Sequence, residues 1–284
     1  MGAWPVQPPT FAILVVAGLY VLGGRWRVGS QVHRSRDRWR TIAFASGLLV
    51  LVAALDTPID SEADRLFAVH MVQHVLLLSV APPLIVLGAP WARIWRPLPL
   101  GFRRTTAKAL VVDPRTRPLR LLAHRLTHPA VAWVAFCGNL VLWHVPALYD
   151  ATLRNGAVHD LEHALFFSTG ILFWAQVIPS APFRVRLDEP RRALYALLAM
   201  LVGWVLAVVL GFARTPLYHP YTTLAHRPGG LSALADQQIA AGVMWVPGSL
   251  AFTIAIVLFF YRWIAPEPES RRRSGLSPLT TTTR

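Results

Sequence analysis

The stretch LFAVHMVQHVLLLSVAPPLIVLG, residues 66–88, contains no Asp, Glu, Lys or Arg. A helix needs about 20 mostly apolar residues to cross the hydrocarbon core at ~1.5 Å rise each, so this run predicts a transmembrane helix. Working outward, six further stretches come near the same standard: 8–24, 41–57, 129–148, 157–178, 193–213 and 236–263, the first two being short. The reading is an all-α polytopic membrane bundle of about seven transmembrane helices. Composition agrees, because 54% hydrophobic and 15% charged residues over 284 positions, with mean hydropathy +0.45, exclude an ordinary soluble domain.

A net charge of +14 raises nucleic acid as a partner; the basic residues, however, lie between the apolar runs rather than on one face. Segments 25–40, 89–128, 179–192 and 262–284 hold 6, 9, 4 and 5 of the 28 Lys and Arg residues. By the positive-inside rule these segments are cytoplasmic, which sets the amino terminus outside and the carboxy terminus in the cytoplasm of a plasma-membrane protein. Arg65, Arg154, Arg214 and Arg227 fall on the other side, with Asp56, Asp60, Glu62 and Asp64. Membrane lipids are therefore expected partners and nucleic acid is not. The inner segment 89–128 mixes arginines with Trp91, Trp95 and Phe102, as suits interfacial packing against anionic headgroups.

Residues 1–264 read as one integral-membrane domain and 265–284 as a disordered cytoplasmic tail, since Arg271, Arg272, Arg273 and the terminal threonines give nothing to bury. The first charged side chain is Arg25, so residues 8–24 lack the basic n-region of a secretory signal and are expected to remain as a span. Cys137 is the single cysteine, which excludes an intrachain disulfide and a Cys-x-x-Cys metal site. No repeat of fixed period is evident.

Ionisable or metal-binding side chains inside a span are costly and mark functional sites. Of ten histidines, His33, His124 and His128 belong to inner segments, whereas His70, His74, His144, His159, His163, His219 and His226 lie at outer span ends or in outer loops. His70 and His74 are four apart, hence on one helical face, with Gln73 adjacent and Met71 able to approach the His74 ring from the side. His159 and His163 repeat that spacing with Glu162 on the same face; the His-x-x-Glu-His order is also that of a zinc protease family. Leu142-Trp143-His144-Val145-Pro146 ends the fourth span, Pro146 loosening its last turn. The seventh opens on Asp236-Gln237-Gln238, with Asp236 as a candidate N-cap, Gln237 and Met244 on one face, and Pro247-Gly248 as a candidate kink.

Singly, each segment has a plainer reading as interfacial histidines, helix caps or core packing. Depth joins them. Counted along each helix, His70 and His74 lie about 6 and 12 Å below the outer end, His163 about 9 Å, Met244 about 12 Å and His144 about 7 Å. Four spans thus bring metal-capable groups into one layer of the outer leaflet. His124 and His128 are also four apart but sit among arginines with no other donor, so spacing alone proves little. Imidazole with thioether suits copper, Cu(I) above all, while zinc and iron also accept imidazole.

Five ordered elements resemble the seven-span CtaG family of assembly factors for caa3-type cytochrome c oxidase. They are His70-Met71-Val72-Gln73-His74, Pro82-Pro83 to Gly88-Ala89-Pro90, Trp143-His144-Val145-Pro146 with Leu148-Tyr149-Asp150, His159-Asp160-Leu161-Glu162-His163, and Asp236-Gln237-Gln238 to Met244-Trp245-Val246-Pro247-Gly248. The resemblance spans about residues 66–263. It implies a non-enzymatic role in maturing a haem-copper oxidase, with oxidase subunits as partners and copper as cargo. Carried over by position, the implied ligands are His70, His74, His144, His159 and His163, with Met71 and Met244 as softer donors and Gln73, Glu162, Asp236 and Gln237 in support. Two other functions compete: a membrane zinc hydrolase with Glu162 or Asp236 as general base, and a haem-binding electron carrier with histidines as axial ligands.

Overall fold

The structure is a computed structural model that describes residues 8–24, 31–183, 185–224 and 227–265, with side chains described from residue 37 in the second segment. The tail expected after residue 265, His226 and the side chain of His33 lie outside the described residues. Among the described residues every regular element is a helix and no strand occurs, as expected. Its helices are α1 (Pro8–Gly24), α2 (Gln31–Leu55), α3 (Pro58–Ala63), α4 (Phe67–Val75), α5 (Ala81–Gly88), α6 (Trp91–Trp95), α7 (Leu100–Val111), α8 (Arg117–Leu126), α9 (Pro129–Trp143), α10 (Pro146–Arg154), α11 (Gly156–Val177), α12 (Glu189–Phe212), α13 (His219–Thr222) and α14 (Ala233–Ile264).

Four segments are long and apolar enough to cross a membrane by themselves: Asp37–Leu55, Phe67–Gly88, Glu189–Phe212 and Ala233–Ile264. Residues Pro114–Leu126 and Pro129–Trp143, bent by 73°, make a fifth if taken as one broken span. Each of the seven expected stretches holds helix, but α1 has 17 residues and α11 carries Asp160 and Glu162 early in its length. Of the four, Phe67–Gly88 is 67% buried by protein against 22–33% for the others, so it is the central helix. Val205, Val209, Val246, Leu250 and Ile254 of α12 and α14 are exposed, as apolar residues facing lipid must be.

Two element bounds differ from the sequence reading, each for a local reason. The second helix starts at Gln31 rather than at residue 41, because arginine is a good helix former and nothing between 31 and 40 stops the helix. The fourth ends at Trp143 and Pro146 opens the separate α10; Pro146 holds Val145 extended, so the chain turns rather than frays. Helix α14 continues past Pro247 and Gly248 to Ile264.

Prolines shape the central helix instead. Between α4 and α5 lies a π-helical turn, Leu76–Val80, directly before Pro82 and Pro83. Pro82 has no N–H to give the carbonyl of Leu78; Trp174 Nε1 of α11 donates to that oxygen at 3.2 Å. Gly170 lets α11 approach here, since a Cβ at that position would lie 2.7 Å from Pro82 Cγ and 3.0 Å from the Leu78 oxygen. A broken backbone bond thus becomes the contact that fixes α11 against the π-helical turn and α5.

Candidate metal centre

The start of α4 is held from another helix. Leu66 is extended and has no side chain to cap the helix, and its carbonyl serves the N–H groups of Val69 and His70. The remaining two, Phe67 N and Ala68 N, donate to the Asp236 carboxylate at 2.8 and 2.9 Å. Asp236 was expected to cap its own helix; Ser232 does that, accepting from Ala235 N. Asp236, fully buried, caps α4 across the bundle and sets the depth and rotation of His70 and His74.

Helix α11 is started by Asn155, whose side chain accepts from Ala157 N at 3.0 Å, and His159, Glu162 and His163 occupy its first two turns. One ligand atom from each of His70, His159, Glu162 and His163 lies within 4.8 Å of all the others. His70, Glu162 and His163 are buried and His159 is half-buried, so the group opens to the surface at His159. Glu162 Oε2 lies 3.7 Å from His70 Nε2 and 3.6 Å from His74 Nε2. The His74 ring meets that of His70 edge-on at 4.4 Å.

Hydrogen bonding leaves these atoms unmatched. His70 Nε2, both His74 nitrogens, His159 Nε2, His163 Nε2 and both Glu162 oxygens are buried with no hydrogen-bond partner. Each such group costs about 1–3 kcal/mol, more for a carboxylate. A cation among them would satisfy nitrogens and oxygens together, and imidazole and carboxylate are both ordinary ligands at ~2.0–2.2 Å.

Two tautomers can be assigned from neighbours. Tyr221 Oη donates to the Ala63 carbonyl at 2.8 Å, so it can only accept from His70 Nδ1 at 3.2 Å, and the lone pair of His70 is on Nε2, facing Glu162. Burial holds the Tyr221 phenol well above its ordinary value, which keeps it a neutral hydroxyl. His144 Nδ1 donates to the Leu140 carbonyl at 2.7 Å, leaving its lone pair on Nε2. That atom lies 3.3 Å from Met71 Sδ, so Met71 approaches His144 rather than His74.

The supporting residues separate. Gln73 turns away, Nε2 donating to Ala54 O and to Asp60 Oδ1, both at 2.8 Å. Gln237 accepts from Leu217 N and donates to Leu210 O, which ties it to the end of α12 and the turn that follows. Met244 is buried and lines a small cavity with Met71, His74 and His144. His124 accepts from Arg186 at 3.1 Å and is not part of this cluster. Sequence reading missed Tyr221 and Tyr218, the latter donating to the His144 carbonyl at 3.1 Å. Their signal was present in retrospect: two tyrosines three apart in a polar loop, both of which fold inward.

Uncharacterized proteins of Mycobacterium bovis and Mycobacterium tuberculosis are 25% identical over 274 residues, covering 90% of this chain and 41% of their own length. One of Mycobacterium leprae is 25% identical over 263 residues, 89% of this chain and 39% of its own. The chain thus spans about two fifths of the length of these relatives. No solved structure matches. A family model described as cytochrome c oxidase caa3 assembly factor matches residues 18–265, which include every residue of the histidine–glutamate cluster. The chain therefore belongs to the CtaG family of cytochrome c oxidase caa3 assembly factors.

Proposed function

We propose that this assembly factor holds copper as cargo for a haem-copper oxidase, on donors facing the outer side of the plasma membrane. Its topology in this reading is seven spans, the amino-terminal end of α1 outside and α14 leading into the cytoplasm, supported by the distribution of basic segments. The copper reading rests on the convergence of His70, His159, His163 and Glu162, with ligand atoms within 4.8 Å of one another. His74, His144, Met71 and Met244 offer further donors beside it, Cu(I) being the ion that imidazole and thioether suit together. Gln73, Asp236 and Gln237 position helices and do not bind the ion. Sharing the cluster between two helices, α4 and α11, with an edge at His159, favours a cargo that must leave over a closed structural site.

The competing functions fit less well. Glu162 is packed against His70 and His74 and fully buried, with no room for the substrate of a hydrolytic water. The cavity beside His74 and His144 measures about 50 Å³, whereas pockets for organic ligands run from about 300 Å³ upward, so a porphyrin has no place there.

The test is a His70→Ala/His74→Ala double variant, followed by the copper content of the oxidase and by membrane insertion of the variant itself. Oxidase copper is expected to fall with insertion unchanged; normal oxidase copper and activity would remove the proposal. Metal analysis and an absorption spectrum on one wild-type preparation separate the alternatives, zinc in equimolar amount or a Soret band each contradicting copper.

A further inference from the structure

The donors of the bundle do not form one group. Four methionines occur in the chain, at positions 1, 71, 200 and 244. The last three, from α4, α12 and α14, all line the cavity of about 50 Å³, together with His74 and His144. Its remaining walls include Leu78, Phe136, Leu140 and Phe252, and no carboxylate. Counted along α4, His74 lies one turn, about 6 Å, inward of His70, so the cavity sits deeper in the bundle than the histidine–glutamate cluster.

We propose that this cavity is a second, soft-metal site, taking a monovalent thiophilic cation, Cu(I), on Met71, Met200, Met244 and His144, with His74 shared between it and the outer cluster. The inference rests on the copper reading above and adds Met200, which sequence spacing did not single out.

Three observations carry it. First, the unprotonated Nε2 of His144 faces Met71 Sδ at 3.3 Å; two lone pairs meet, and neither has a hydrogen to offer the other. A cation is the partner that both accept. Second, the cavity is large enough for one ion, since about 10–15 Å³ already accommodates a water. Third, the charge balance differs between the two sites. The cost of burying an ion rises with the square of its charge. The outer cluster has the Glu162 carboxylate to offset the charge of an ion; the cavity has only neutral donors and therefore selects a singly charged ion with affinity for sulfur. Methionine as flexible core filler is the plainer account of any one of these side chains, and it does not explain the facing lone pairs.

The experiment uses the full chain, purified in detergent, with Cu(I) and Ag(I) titrated against a chromophoric chelator. Wild type is expected to take up two Cu(I). Met200→Ile/Met244→Ile should lose one of them and weaken Ag(I) by about tenfold or more, leaving Zn(II) uptake unchanged; His159→Ala/His163→Ala should lose the other and keep Ag(I). A selenomethionyl wild-type chain needs no substitution: its selenium absorption spectrum should gain a metal neighbour on loading with Ag(I). Selenium without a metal neighbour, or methionine variants that bind Ag(I) as wild type does, overturns the second site. Oxidase copper that still depends on His70 and His74 would then leave the copper reading standing. Ag(I) held on selenium with normal oxidase copper in the His70/His74 variant would reverse that outcome, keeping the site and removing the delivery role.

Discussion

Removing the Asp236 carboxylate should destabilise the bundle and weaken metal binding without deleting a ligand. Asp236→Ala leaves Phe67 N and Ala68 N, now at 2.8 and 2.9 Å from the carboxylate oxygens, buried without acceptors. The two other N–H groups at that end are already served by the Leu66 carbonyl, so no spare acceptor can move over. At about 1–3 kcal/mol for each abandoned donor, the loss is about 2–6 kcal/mol, above the ~0.5–2 kcal/mol of an ordinary exposed cap. Asp236→Asn should recover little, because its amide offers one oxygen and sets its own N–H against the second donor. Unfolding in detergent, followed by tryptophan fluorescence, should show a midpoint lowered by at least about 4 °C. Because His70 and His74 ride on the freed helix end, Cu(I) affinity should fall about tenfold with stoichiometry kept. A midpoint within about 1 °C of wild type refutes the capping account. A lost metal equivalent at unchanged stability would make Asp236 a ligand instead.

Two further substitutions test neighbouring claims. Tyr221→Phe deletes the hydroxyl that accepts from His70 Nδ1 and donates to Ala63 O; metal affinity should fall about 10–100-fold with stoichiometry unchanged, whereas an unaltered affinity would show that the His70 tautomer is set by something else. Gly170→Val should cost about 1–3 kcal/mol in detergent unfolding, because its side chain runs into Pro82 and the Leu78 carbonyl, while Gly138→Ala, with open space at its Cβ, should be neutral or stabilising.

Much of the fold was legible because a membrane span announces itself by composition. The uncharged run of residues 66–88 and the apolar runs on 193–213 and 236–263 need only length and hydropathy to be read, and they correspond to Phe67–Gly88, Glu189–Phe212 and Ala233–Ile264. Less legible was where a helix ends, since that depends on single residues whose effect is contextual. Pro146 starts a helix while Pro247 sits within one, and the two read alike in sequence. The π-helical turn before Pro82 was invisible, because the partner of the Leu78 carbonyl, Trp174, is 96 residues away.

The histidines show which part of a site a sequence contains. Spacing along a helix gives depth, and depth alone merges His70, His74, His144, His163, Met71 and Met244 into one layer. Rotation about the helix axis then depends on what the helix packs against, which sequence spacing does not contain. Here rotation is decisive: Met71 and His70 are neighbours in sequence, yet Met71 faces His144 and the methionine cavity while His70 faces Glu162. Consecutive residues on a helix point about 100° apart, so a single central helix is bound to serve two groups of partners if it is surrounded on all sides. The burial of Phe67–Gly88 is therefore the property that divides the donors, one set with a carboxylate and one with sulfur. His74, four residues from His70 and three from Met71, is the side chain whose direction lets it border both, with its ring centroid 5.9 Å from that of His163 and 6.2 Å from that of His144. If cargo passes between the two groups, His74 is the step it must take, and its removal should separate the sites rather than empty them.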